Sequence, residues 1–408
     1  MTNSEKWLGP EENAYDYFTA INEAGMDELV AIRNENNERK GDGKHRAERT
    51  WGSTEASILV GRTPEWLRQN DPDVPKNGAG KGRWSLKRIL ELMDKAGTRY
   101  VRPMNSRALA LAMSKFKGGV GNTTNTIHIA HGLATKGLRV LIWDQDGQAT
   151  LTQAAGGVVP DLELEDEDLP LYAMEKDPKA ILDPDRPIVQ GTYFHNVDLV
   201  PANSALNELE MKLVTQYLKI GEAPETDISP EYRMKAILEY IKDFYDVILI
   251  DCPPTLGINT MNGLLAADGI ITSVKPELFD RASLVAYTDA LAALCDNHNK
   301  DFSYFRILIS QFQDGIRTDR SGTVRGSGHQ AGEQALRRIY GDAVMYNMMH
   351  HSKEISKASS ELSSVIANDK AVGSKKARDR AVNDVVYPVV NEIFEDLKMI
   401  WEAEREDD

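Results

Sequence analysis

The segment Phe116-Lys117-Gly118-Gly119-Val120-Gly121-Asn122-Thr123-Thr124 restricts this chain's fold more than any other. It follows an apolar run at 108–113 that suits a buried strand, and it leads into a helix-favouring stretch at 123–135. Three glycines in four positions let backbone N–H groups converge on one point, and the helix start adds partial positive charge there. Phosphate needs such a site, and Thr123 stands where a hydroxyl coordinates Mg²⁺ in a loop of this kind. The alternative is a glycine-rich strand-to-helix turn that binds nothing.

From residue 106 onward, apolar runs alternate with helical stretches. The strand candidates are 108–113, 140–143, 197–200, 247–250, 270–274 and 307–309, with helices at 123–135, 281–295 and 330–340. Continuous apolar runs fit a parallel sheet covered on both faces, so the expected class is α/β with a doubly wound, mostly parallel sheet. An acidic, proline-bearing insertion at 154–192 reads as surface structure. Two strand ends carry carboxylates: Asp144-Gln145-Asp146 after the second strand, and Asp251-Cys252-Pro253-Pro254 after the run at 247–250. Carboxyl ends of strands are where α/β ligand sites form, and a strand-end Asp can hold Mg²⁺ through water.

Upstream, residues 51–98 show a different pattern. Ser53-Thr54-Glu55-Ala56 opens a short helix, Gly61-Arg62-Thr63 turns, and Pro64 begins a second helix that Thr63 can cap. A basic loop at 76–83 contains Gly78, Gly80 and Gly82, and Ser85 caps a third helix. Helix, turn, helix, basic hairpin and helix outline a winged helix-turn-helix, setting Arg62 and Arg68 toward a DNA groove with Lys81 and Arg83 on the hairpin. Residues 1–50 form a polar helical arm with Tyr15, Phe18, Ile21, Leu29 and Ile32 at roughly helical spacing. A self-association helix and a solvated helix both fit that pattern.

The net charge of −15 argues against a chain that coats nucleic acid over its whole surface. Two basic islands stand out: residues 41–106 carry 13 Lys/Arg against 8 Asp/Glu, and residues 370–380 carry five basic residues and one acidic. Lys370, Lys375, Lys376, Arg378 and Arg380 would contact phosphates without reading bases; a solvated basic turn is the other reading. Only Cys252 and Cys295 occur, which favours a reducing, cytoplasmic address over a disulfide framework. The opening Met1-Thr2-Asn3-Ser4-Glu5-Lys6 lacks a basic leader followed by an apolar stretch, so no secretory signal is expected.

Taken together, these motifs resemble ParA, the deviant-Walker partition ATPases of plasmids and prophages, in the larger type Ia form with an N-terminal DNA-binding region. That family's loop reads Lys-Gly-Gly-x-x-Lys-Thr-Ser/Thr. The resemblance implies ATP/ADP and Mg²⁺ as cofactors, with Lys117 reaching across a nucleotide-sandwich homodimer and Asp146 orienting the attacking water. Gly118, Gly119, Val120, Gly121, Asn122, Thr123, Thr124 and Pro276 would surround the nucleotide, and Thr123, Asp144 and Asp251 would hold the metal. It further implies operator DNA bound by residues 51–105, nonspecific DNA bound by C-terminal basic residues, a role that the basic island assigns to Lys375, Lys376 and Arg378, a centromere-binding partner protein, and a nucleoid-associated location. The ATPase domain would span 106–408.

One position departs from the pattern. Asn122 replaces the second loop lysine, removing a cation from the phosphates. A charge-assisted hydrogen bond is worth ~1.5–3 kcal/mol, or roughly ten- to a hundredfold in affinity, and the loss at the transition state is expected to be larger. The expected result is an ATPase with impaired hydrolysis. A nucleotide-sensing transcriptional repressor with little or no turnover is the alternative. A membrane-bound division-site ATPase is excluded, because the acidic end from Trp401 to Asp408 would repel anionic lipid.

Overall fold

The computed structural model describes residues 14–40, 48–115, 117–218, 228–313, 315–318, 324–326, 328–368 and 374–406. Phe116 and Lys370, both singled out above, lie outside them. Helix α1 (Ala14–Lys40) forms the arm; Ile21 is exposed and Leu29 half-buried, while the side chains of Tyr15, Phe18 and Ile32 lie outside the described set.

Strand β1 (Thr50–Trp51) leads into α2 (Ser53–Val60) and α3 (Pro64–Asn70). Thr63 caps α3 by accepting from the Trp66 amide, with Pro64 at the first helical position. The basic loop folds back on itself, Lys76 bridging to Gly82, and returns as β2 (Trp84–Ser85), antiparallel to β1. Gly82 has no room for a side chain, since a Cβ there would fall 2.9 Å from the Trp84 ring and 3.0 Å from Val74. Ser85 caps α4 (Leu86–Ala96), whose Leu86, Ile89, Leu90 and Met93 are buried.

The remainder is built on β3 (Leu109–Ser114), α5 (Asn122–Thr135), β4 (Val140–Asp144) and α6 (Thr150–Gly156). Short helices α7 (Pro160–Glu163) and α8 (Leu171–Glu175) follow, then β5 (Gln190–Gly191), β6 (Val197–Val200), α9 (Ala205–Leu218) and α10 (Arg233–Ile241). Next come β7 (Val247–Asp251), α11 (Ile258–Ala266), β8 (Gly269–Val274), α12 (Leu278–His298), β9 (Tyr304–Phe312), a hairpin of β10 (Ile316–Thr318) and β11 (Val324–Gly326), and α13 (Gly328–Tyr340). The chain ends with β12 (Met349–His350), α14 (Lys353–Ser360), α15 (Lys375–Arg380) and α16 (Tyr387–Glu406).

Eight strands form one sheet in the order β12-β9-β8-β3-β7-β4-β6-β5, parallel throughout except for β5 at the edge. All six expected strands are present, and the doubly wound class holds. β3 has β7 on one side and β8 on the other, so the crevice beyond its carboxyl end is a switch point of the kind where such sheets bind ligands. Edge strands β5 and β12 were not expected; two residues each carry no usable periodicity.

Side chains on the two sheet faces feed two cores. Leu109, Leu111 and Met113 share one with α5, α16 and the 51–98 unit, while Ala110 and Ala112 share the other with α9, α10 and α11. α5 and α16 approach so closely that a Cβ on Gly132 would overlap Val390. Trp51 meets Phe194 edge-on at 6.2 Å, and Tyr100 stacks on Trp401 at 5.9 Å, so the N-terminal unit shares the core beneath α5. The acidic insertion departs from the expectation of pure surface structure. Ala173, Met174, Ile181 and Ile188 are buried with Leu206, Leu209, Met234 and Ile237, because its scattered apolar residues dock on α9 and α10.

Candidate nucleotide and metal site

Asp144 ends β4 and Asp251 ends β7, paired in register, and Met113 of β3 lies opposite Asp251. Strand alternation turns both carboxylates toward the first turn of α5. Asp251 Oδ2 accepts from Thr123 Oγ1 at 2.6 Å, and its Oδ1 accepts from Asn122 Nδ2 at 2.9 Å and Thr126 Oγ1 at 3.1 Å. Asp144 Oδ2 accepts from the Thr152 amide at 2.8 Å and its hydroxyl at 2.7 Å; Oδ1 accepts from the Asp146 amide at 3.2 Å. Two buried carboxylates and a hydroxyl beside a glycine loop fit a hard divalent cation bridged to phosphate. Gly119 and Gly121 take φ of 76° and 85°, and a Cβ on Gly121 would press on Gln311 Nε2 at 3.0 Å.

Burial, with the neighbouring Asp251 adding to it, pushes the Asp144 carboxyl up to about 7. Burial also raises Asp251, while the Lys115 ammonium and the Thr123 and Thr126 hydroxyls pull against it. A cation held between them would need both groups ionised, so its binding would release protons below about pH 7 and affinity for Mg²⁺-nucleotide would rise with pH through that range. The folded pKa of Asp144 lies above its unfolded value, so its contribution to metal-free stability is full at low pH and is lost as pH rises through about 7. Calorimetry at pH 6.5 in buffers of different ionisation enthalpy should show proton release that Asp144→Asn reduces; equal enthalpies in all buffers would contradict it.

Asn122 behaves differently from a neutral stand-in for lysine. Its Nδ2 donates to the Met113 carbonyl at 2.7 Å as well as to Asp251, so both amide hydrogens are committed to the strand ends. No side-chain donor remains for a phosphate, and its Oδ1 is buried without a partner. Lys117, expected to reach a second subunit, is held within its own chain by Asp280 at 3.0 Å. Asp146 is half-buried and its Oδ1 accepts from the Gln148 amide at 3.0 Å. Val120 is buried. Pro276 is buried under α13, where Gly332 leaves space for its carbonyl, and it is not among the residues lining the cavity at the loop.

That cavity, about 240 Å³, opens between Gly121, Thr124 and Asn125 on one side and Ser310, Gln311 and the 349–352 segment on the other. Asn125 Nδ2 donates to Ser273 Oγ and Ser310 Oγ, both at 3.0 Å. The sequence reading missed this wall. It comes from β9, β12 and α14, far along the chain and without a motif. Asp280, in the first turn of α12 four residues after Pro276, was missed as well.

The basic residues separate into exposed and committed groups. Arg68 and Lys81 are exposed, Arg68 pairing with Glu65 at 2.7 Å. Arg62 is exposed and donates to the Ala96 carbonyl at 2.7 Å. Arg83 is half-buried and binds Thr50 through its hydroxyl at 3.0 Å and its carbonyl at 2.5 Å, tying the β1–β2 ribbon. Lys375 and Lys376 are exposed. Arg378 is a correction: its side chain is only 6% exposed and pairs with Glu55 at 3.0 Å, so it is turned into the protein rather than toward DNA. Glu55 Oε1 also receives Arg49 at 3.0 Å, and Glu55 Oε2 caps the Gly52 amide at 3.2 Å. Among the described residues no helix is long and apolar enough to cross a membrane.

Comparison with known proteins places this geometry in context. Residues 108–304 match the family model described as an AAA domain. The chain is 30% identical to Protein SopA of Escherichia coli (strain K12) over 368 residues, covering 87% of this chain and 90% of SopA. It is 32% identical to the sporulation initiation inhibitor protein Soj of Bacillus subtilis (strain 168) over 200 residues, 49% of this chain and 71% of Soj. A solved structure described as "Partition Protein" superposes with a TM-score of 0.63 at 15% identity, covering 95% of this chain and 99% of that one. The ATP complex of a Cyanothece McdA variant gives 0.55 at 17% identity, covering 71% and 97%. At these identities the two structures speak for the fold alone.

Proposed function

The chain belongs to the ParA family of partition ATPases, with SopA among its relatives, and on that premise we propose that it is a slow, ATP-switched DNA-segregation protein that also represses its own operon. The observation that carries this reading is Thr123 and Asp251 facing each other at 2.6 Å over the start of α5, with Asp144 alongside in register. Bound Mg²⁺-ATP supplies the phosphoanhydride and a cation that neutralises its charge. Thr123, Asp144 and Asp251 hold the metal, the loop amides from Gly118 to Thr124 hold the phosphates, and Asp146 orients water. Lys117 leaves Asp280 to meet the phosphates of a second subunit, which couples dimerisation to nucleotide. The committed donor of Asn122 favours low turnover and keeps a nucleotide-sensing repressor as the second reading.

For DNA, we assign residues 51–105 to operator recognition through Arg62, Arg68 and Lys81, with residues 1–50 as an arm and 106–408 as the ATPase domain. Nonspecific binding falls to Lys375 and Lys376, and a centromere-binding partner protein stimulates turnover on the nucleoid. The test is mass measurement with and without Mg²⁺-ATP, followed by binding to random-sequence duplex across a salt series. The protein should double in mass with nucleotide. Lys375→Glu with Lys376→Glu should weaken DNA binding for every sequence and flatten the salt slope by up to ~0.9 per lost phosphate contact. A monomer at saturating nucleotide would overturn the reading.

A further inference from the structure

Lys115 is the first residue after β3. Leu109, Leu111 and Met113 of that strand turn toward α5, and continued alternation sends residue 115 the same way, about 6–7 Å beyond Met113. Lys115 is therefore placed at the strand end beside Asp251, whose carboxyl its ammonium pulls down against the rise from burial. It is only 8% exposed, and among the described residues it makes no hydrogen bond and no ion pair within 4 Å. Asp251 is already occupied by Asn122, Thr123 and Thr126. The Lys115 ammonium favours the ionised form of Asp251 across a gap longer than an ion pair, so its N–H donors stay available to a further anion arriving in the crevice. The same crevice lacks a cation at Asn122, whose amide is committed elsewhere.

We propose that Lys115 supplies to the phosphates of the bound nucleotide the positive charge that the loop lacks at Asn122. The inference rests on the nucleotide-binding reading above. A four-carbon stem ending in a compact charge suits this role, since it reaches across the loop entrance without bidentate geometry. It also divides two tasks that a loop lysine performs together. Lys115, anchored on the strand, contributes charge to binding, while the position that follows the γ-phosphate through transfer stays without a cation.

The test is a double-mutant cycle read by binding of a fluorescent ATP analogue with Mg²⁺, alongside thermal melts without nucleotide. Lys115→Met should weaken the analogue at least tenfold in the parent protein and less than threefold in Asn122→Lys, where the loop has its own cation. The nucleotide-free melting temperature should change little, because among the described residues the substitution breaks no hydrogen bond and no ion pair within 4 Å. Equal losses in both backgrounds, or a lower melting temperature accompanying the loss, would show a structural counter-ion and overturn the inference. Should Lys115→Met misfold, Lys115→Gln gives the same comparison. Parent and Asn122→Lys both binding, with Lys115→Met indistinguishable from parent, would sink the inference alone; no binding by either would sink the nucleotide reading with it.

Discussion

Asn122→Lys should raise ATP turnover at least tenfold. The present side chain is pinned between the Met113 carbonyl and Asp251, so the phosphoryl group undergoing transfer meets no side-chain donor from this position. A preorganised donor or cation at a charge-developing oxygen is worth ~10²–10³ in rate in well-studied cases, and tenfold is the least of that gain expected here if Lys115, as proposed, supports binding rather than transfer. Affinity for Mg²⁺-nucleotide should change less than turnover for the same reason. The measurement is steady-state phosphate release by both proteins, with DNA present. A revertant no faster than the parent would mean that the missing cation does not limit this enzyme.

Glu55→Ala should cost up to about 3 kcal/mol, the low end of the range for stripping a partner from buried charge. One carboxylate oxygen serves both Arg49 and Arg378, whose side chains are 3% and 6% exposed, and the other caps α2 at the Gly52 amide. Arg49 keeps the Ile366 carbonyl and the Trp51 ring, and Arg378 keeps Asp379, so the loss is partial. Glu55→Gln retains the cap and should lose less. Denaturant unfolding of both variants checks this. A change within ~0.5 kcal/mol, as at an ordinary surface site, would show that the three-residue hub carries no stability.

This hub marks where reading the sequence stopped. Lys375, Lys376 and Arg378 look alike as letters in one basic island, yet the first two face solvent while the third turns inward to a carboxylate 323 positions earlier. Charge is a local property of sequence, whereas the partner of a charge is a tertiary one. Asn122 teaches the same lesson. The absence of a lysine was legible, but the commitment of the amide to strands β3 and β7 depends on strands that become neighbours only when the sheet forms.

What the sequence determined by itself is what short-range physics encodes. Six apolar runs set the strands, glycines with αL backbone set the loop, Thr63 and Ser85 set helix starts, and strand-end aspartates marked the crevice at the carboxyl end of the sheet. Tertiary structure alone decided the rest: the cavity wall from Ser310, Gln311 and residues 349–352, the Lys117–Asp280 pair, and the burial of the 51–98 unit into the core beneath α5. It also set His128 between the Thr124 carbonyl and the Val365 amide, where burial lowers its pKa to about 4 and keeps it neutral. The reason is the same throughout. Periodicity and capping act over a few residues and leave a signature in the letters, while contacts closed by the parallel sheet join segments hundreds of residues apart and leave none.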